Sequence, residues 1–121
     1  MGYYASMTNV NFYMDKVNKR HAYEAFKKSS LASDALEPIH SIEDALDYFG
    51  YTAENDEEDN IISLEHNTEK LGDEEMLFFV IAPYVRSGSF IEMIGENNEM
   101  WRWFFLNGEL KESTPKIEWE I

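Results

Sequence analysis

The dipeptide Asn107-Gly108 constrains this chain more than any other local feature. Both residues accept a positive φ, which a two-residue type I′ turn demands at its two central positions, and the twist of that turn matches the strands it joins. Met100–Leu106 precedes it and residues 109–112 follow, so an antiparallel hairpin is expected. Gly95-Glu96-Asn97-Asn98 predicts a second turn one strand earlier, which makes residues 89–94, 100–106 and the run from Glu109 a meander. Pro115 interrupts the last strand, and Ile117, Trp119 and Ile121 alternating with Glu118 and Glu120 predict a further piece at a sheet edge, where proline is tolerated.

Upstream, Thr8, Val10, Phe12 and Met14 alternate with Asn9, Asn11 and Tyr13, predicting a strand near residues 4–14. From Val17 to Leu31 the spacing becomes helical, with Ala22 and Phe26 inward and Lys19, Arg20, Lys27 and Lys28 mostly outward. Pro38 ends that region in a loop. Ser41 then reads as an N-cap answered by Asp44, with Ile42, Ala45, Leu46 and Phe49 as the buried stripe and Gly50 as the stop. Residues 51–54 and 61–65 predict a hairpin whose polar tip, residues 55–60, is expected to be solvated. Asp73 caps a helix from Glu74, with Leu71 placed to staple onto Leu77; Met76-Leu77-Phe78-Phe79-Val80-Ile81 makes it the helix expected to be most buried.

The result is one α+β domain: a mainly antiparallel sheet with about three helices on one face, in the order β-α-α-β-β-α-β-β-β. A chain of 121 residues with 44% hydrophobic residues supports a single core and argues against disorder. No apolar run reaches the ~20 residues of a membrane span, and no basic stretch followed by an apolar one opens the chain, so a cytoplasmic protein without a membrane partner is expected.

Charge is the other strong signal. The net charge of −14 is placed unevenly. Residues 1–33 carry five basic and two acidic side chains, residues 34–75 carry fifteen acidic ones against Lys70 alone, and residues 76–121 carry seven glutamates against four cations. A phosphate backbone would be repelled, so direct nucleic-acid binding is not expected.

Motifs of catalysis do not occur. There is no cysteine, no HExxH, no GxSxG, no GxGxxG and no GxxxxGK[ST]. An EF-hand read from Asn55 would place Asn60 where glycine is needed and His66 where the bidentate glutamate belongs. His21, His40 and His66 are too scattered for a zincin site. Neither enzymatic activity nor any metal or cofactor is expected.

Binding is left. Trp101, Trp103 and Phe105 share one face of a strand and Met100, Arg102, Phe104 and Leu106 the other, so one face packs on the helices and the second is either covered or a contact patch. Tyr3 and Tyr4 carry the same ambiguity. The acidic middle third has two readings as well: a solubilising surface, or rows of carboxylates imitating nucleic-acid phosphates.

The strings Ser87-Gly88-Ser89-Phe90-Ile91-Glu92, Gly95-Glu96 and Trp101-Arg102-Trp103-Phe104-Phe105, with Gly72-Asp73-Glu74-Glu75 and more loosely Met1-Gly2-Tyr3-Tyr4, resemble a group of small acidic proteins of phages, prophages and bacteria to which no activity is assigned. The resemblance covers roughly residues 71–106 and transfers no site residues. A phage setting implies a host-directed inhibitor, similar in charge and size to anti-restriction and anti-CRISPR DNA mimics.

The leading expectation is a non-enzymatic inhibitor that meets a basic, nucleic-acid-binding protein surface through Asp44, Asp47, Glu54, Asp56, Glu57, Glu58, Asp59, Glu74 and Glu75. The alternative is a protein-protein interaction or immunity-type module using Trp101, Arg102 and Trp103 on an aromatic sheet face, with salt-insensitive affinity. Residues 117–121 are as able to pair with a second copy as Glu118 and Glu120 are to prevent it, so the sequence leaves the oligomeric state open.

Overall fold

The computed structural model describes residues 4–67 and 73–115. The staple at Leu71 and the edge piece at residues 117–121 lie outside them, as do Tyr3 and the Met1-Gly2 opening.

The meander forms as its turns require. β4 (Phe90–Gly95), β5 (Met100–Leu106) and β6 (Glu109–Ser113) pair antiparallel, and Asn107 and Gly108 adopt φ of 52° and 84°. β1 (Ala5–Asn11) adds to the other side of β4, giving the order β1-β4-β5-β6. Its register shifts between Met7 and Asn9. That bulge puts one extra residue in β1, so Ala5 and Met7 before it turn inward like Val10 and Phe12 after it.

The predicted first helix is two helices. α1 (Lys16–Lys27) stops because Ser29 takes an extended backbone and its Oγ donates to the Phe26 carbonyl at 2.6 Å; α2 (Ser30–Asp34) follows. α3 (Ile42–Tyr48) starts as expected: Asp44 N donates to Ser41 Oγ at 3.0 Å, and Asp44 Oδ2 accepts from His40 N at 3.1 Å. Gly50, at φ 95°, ends the turn. β2 (Tyr51–Asn55) and β3 (Ile61–His66) form a separate two-stranded sheet. Mutual backbone bonds of 2.9 Å between Met14 and Ile61 link it to the end of the β1 segment. The α+β class, the antiparallel pairing and the order of elements therefore stand as read, with α2 as the addition.

α4 (Glu74–Ile81) runs into a 3₁₀ turn at Ala82–Tyr84. It is not buried all round: Leu77, Phe78 and Ile81 face the core, while Met76 and Phe79 are exposed. An all-apolar run hides this, because only its partners decide which side is covered. Phe78 joins the layers. Its ring lies 5.2 Å from Tyr51 of the small sheet, 5.3 Å from Trp103 and 6.0 Å from Phe105 of the large one.

One polar feature sits in this core. The Tyr51 hydroxyl donates to Glu74 Oε2 at 3.3 Å, and both residues are buried. Burial, reinforced by the Glu74 charge, pushes the Tyr51 pKa up. His66 stacks on Tyr51 at 4.7 Å, and its buried Nε2 has no hydrogen-bond partner among the described residues. Burial holds its pKa below the ordinary 6.5. A depressed histidine contributes stability that is present above its unfolded pKa and lost as pH falls through the folded value. His66→Phe is expected to equal or exceed the wild type in stability at pH 7 and to pull ahead as pH falls below about 6.5. Denaturant titrations across that range check it, and parallel pH profiles would contradict it.

Candidate functional site

α3 packs along β2, and together with the hairpin tip and β3 they present most of the middle third's carboxylates on one unit. Asp44 and Asp47 are exposed on α3, Glu54 on β2, and Glu57, Glu58 and Asp59 at the hairpin tip, with Asp56 half-buried beside them. Two acids outside the predicted set belong here. Glu65, opposite Thr52 on β3, is exposed, and Glu43 stands at the start of α3.

The tip is exposed, as expected, but it is not a free loop. Asp56 Oδ1 accepts from the Glu58 and Asn60 amides at 2.9 Å each, and Asp56 Oδ2 from Asn60 Nδ2 at 3.1 Å. Asp59 takes φ 67° to close the turn. Asn60 Oδ1 then accepts the Lys16 amide at 2.8 Å, tying the tip to the first residue of α1. Lys19, one turn along, ion-pairs with Glu43, lies 3.0 Å from Asp59 Oδ1, and donates to the Asp59 carbonyl at 3.0 Å. Asn55 Nδ2 donates to both Glu43 and Asp59 at 3.0 Å. At the far end Asn67 Nδ2 donates to Asp47 at 3.3 Å and to Thr52 Oγ1 at 2.6 Å.

These contacts keep the acids ionised. The Asn60 amide groups hold Asp56 below the usual carboxylate range, and Asn55 and Lys19 do the same for Asp59. Partial burial would push Glu43 up, but Lys19 and Asn55 outweigh it and its pKa falls below 4.5. Burial likewise opposes the Lys19 charge, yet Glu43 and Asp59 together raise its pKa above 10.5. The Glu43 contribution to stability is complete above 4.5 and lost as pH falls through its folded value, and the Lys19 contribution is complete below 10.5 and lost as pH rises through its own. The tether is therefore expected to hold at every pH between. The amide resonances of Lys16 and Asn60 check this: they should stay put across the window in wild type and shift, with faster hydrogen exchange, in Lys19→Met.

The remaining predicted residues lie elsewhere. Glu74 is buried against Tyr51 and adds no charge to the surface. Glu75 is exposed on α4, where Trp103 Nε1 reaches its Oε1 at 3.4 Å. Trp103 is 3% exposed beneath Phe78, and half-buried Trp101 stacks edge-on to it at 5.9 Å. Arg102 points to the opposite sheet face, 2.7 Å from Glu92 Oε2 and 4.5 Å from the centre of the Phe90 ring.

Lys19, Asn55 and Asn60 are the parts that sequence reasoning missed. The Asp56-to-Asn60 spacing around an acidic turn was the available signal for the inner hydrogen bonds, whereas the Lys19 contact spans 40 residues to Asp59 and has no local mark. Among the described residues no group of three or more acids or histidines is placed to hold a metal ion, and no helix is long and apolar enough to cross a membrane. No family model, no curated protein and no solved structure matches the chain.

Proposed function

We propose that the protein is a non-enzymatic binding protein whose α3–β2–β3 ridge occupies a basic, nucleic-acid-binding surface of another protein and blocks it. One observation carries this reading: the acidic hairpin tip is clamped to α1 by Lys19 and Asn60, while Asp44, Asp47, Glu54, Glu57, Glu58 and Glu65 keep no ion-pair partner among the described residues. A surface that only confers solubility gains nothing from a rigid tip, since mobile carboxylates are equally well hydrated. Imitation of phosphates needs charges held in place, because a pre-ordered array loses less entropy on docking. A phage-borne anti-defence inhibitor, of the anti-restriction or anti-CRISPR kind, is the setting that fits such a surface and the resemblance of residues 71–106 to small acidic phage proteins.

The test is capture from a host-cell lysate on immobilised wild type and on the variant D44N/D47N/E54Q/E57Q/E58Q, with elution by duplex DNA. The expected result is a basic protein held by wild type alone and displaced by the duplex. A partner retained equally by both, or indifferent to the duplex, would overturn the reading.

The outer sheet face supports a second reading, a protein-protein interaction or immunity-type module. Met100, Phe104 and the Arg102–Glu92 pair are half-buried there and Leu106 is 41% exposed. Trp103→Ala would test only folding, given the burial of that ring. Arg102→Ala and Leu106→Ser are the informative variants, and on this reading they abolish a contact that salt leaves intact.

A further inference from the structure

The exposed side of α4 carries Met76 and Phe79, 53% and 69% accessible. They do not stand alone. Among the described residues β6 is the edge strand of the large sheet, and its Leu110 and Glu112, two residues apart, turn to the helix side. With Glu75, Met76 and Phe79 they line a groove of about 410 Å³. The spacings match: Glu75 and Phe79 are one helical turn apart, ~6 Å, and Leu110 and Glu112 are ~6.6 Å apart along the strand. Glu75 and Glu112 line the groove close enough to influence each other, so it has an acidic end beside that pair and an apolar end around Phe79 and Leu110.

The acidic end is short of positive charge. Among the described residues neither Glu75 nor Glu112 has a cationic partner, and Lys111 points to the other face and pairs with Glu109 at 3.6 Å. The neighbouring Glu75 carboxyl, with some burial, holds Glu112 above the usual carboxylate range, and an incoming cation opposes that shift.

We propose that this groove docks a cationic amphipathic segment of a partner protein, its apolar side chains on Met76, Phe79 and Leu110 and an arginine guanidinium between Glu75 and Glu112. A guanidinium fork offers donors to two carboxylates at once, which an ammonium does less well. A purely apolar occupant would desolvate the carboxyl pair without compensation. A second copy of this chain would bring a second carboxyl pair, and an anionic lipid surface or nucleic acid would be repelled. The inference does not rest on the α3–β2–β3 ridge, which uses other elements.

The experiment titrates the full-length ¹⁵N-labelled protein with a helical model peptide bearing Leu at i and i+3 and Arg at i+7, and with counterparts in which Glu replaces Arg or Ser replaces Leu. Only the Leu/Arg peptide is expected to bind, with shifts centred on Glu75, Met76, Phe79, Leu110 and Glu112. Phe79→Ser and Glu112→Gln are each expected to weaken it by about tenfold or more. Both sites are exposed, so spectra unchanged elsewhere establish that these variants are folded. Failure of the peptide to bind, equal binding of the Glu counterpart, or self-association relieved by Phe79→Ser would overturn the proposal. Shifts confined to Asp44, Glu57 and Glu58 would overturn it too, while leaving the ridge reading standing.

Discussion

Phe78→Ala is expected to destabilise the protein by about 3–5 kcal/mol, the cost of deleting a fully buried aromatic ring and leaving a cavity. The ring touches aromatic side chains from both sheets, Tyr51 on one side and Trp103 and Phe105 on the other, so no single neighbour can collapse into the space. Against a total stability of ~5–15 kcal/mol this is a large fraction. The midpoint of thermal unfolding should fall by roughly 10–20 °C. Its chain neighbour supplies the control: Phe79 is 69% exposed, and Phe79→Ala should change stability by less than ~0.5 kcal/mol. Calorimetry on the pair checks both, and similar losses for the two would contradict the placement of α4.

The second large effect falls on binding. Replacing Asp44, Asp47, Glu54, Glu57 and Glu58 by their amides keeps size and shape and removes five negative charges from the ridge. Exposed charge pairs contribute up to ~1 kcal/mol each, so about 3 kcal/mol, roughly a hundredfold in affinity, is expected for the set. Much of it should appear in the association rate, because exposed charges steer encounter more than they hold the complex. Folding should survive, since a net charge of −14 already repels itself and the variant relieves part of that. A stopped-flow comparison of wild type and variant against the captured partner reads both quantities.

Features with a local cause were legible in the sequence. Asn107-Gly108 set its hairpin through backbone conformation alone, and Ser41 with Asp44 announced the start of α3 through a capping hydrogen bond three residues long. Features that depend on distant partners were not. Glu74 looked like a solvent-facing first-turn acid until Tyr51, 23 residues away, took its carboxylate into the core. The apolar run in α4 carried no sign of which side would stay wet, and the bulge after Met7 broke an alternation that otherwise read cleanly. The acidic ridge was half legible: its charges are in the composition, whereas the tether that makes them rigid comes from Lys16 and Lys19 in a segment notable for the opposite sign.

Salt dependence tests the central claim most directly. The dissociation constant of the captured complex, measured from about 0.05 M to about 0.5 M salt, should weaken steeply for wild type as the screening length falls from above ~10 Å to below ~5 Å. The five-amide variant should start weaker and lose far less over the same range. Parallel salt curves for the two proteins would contradict the claim, because they would mean that the ridge takes no part in the contact.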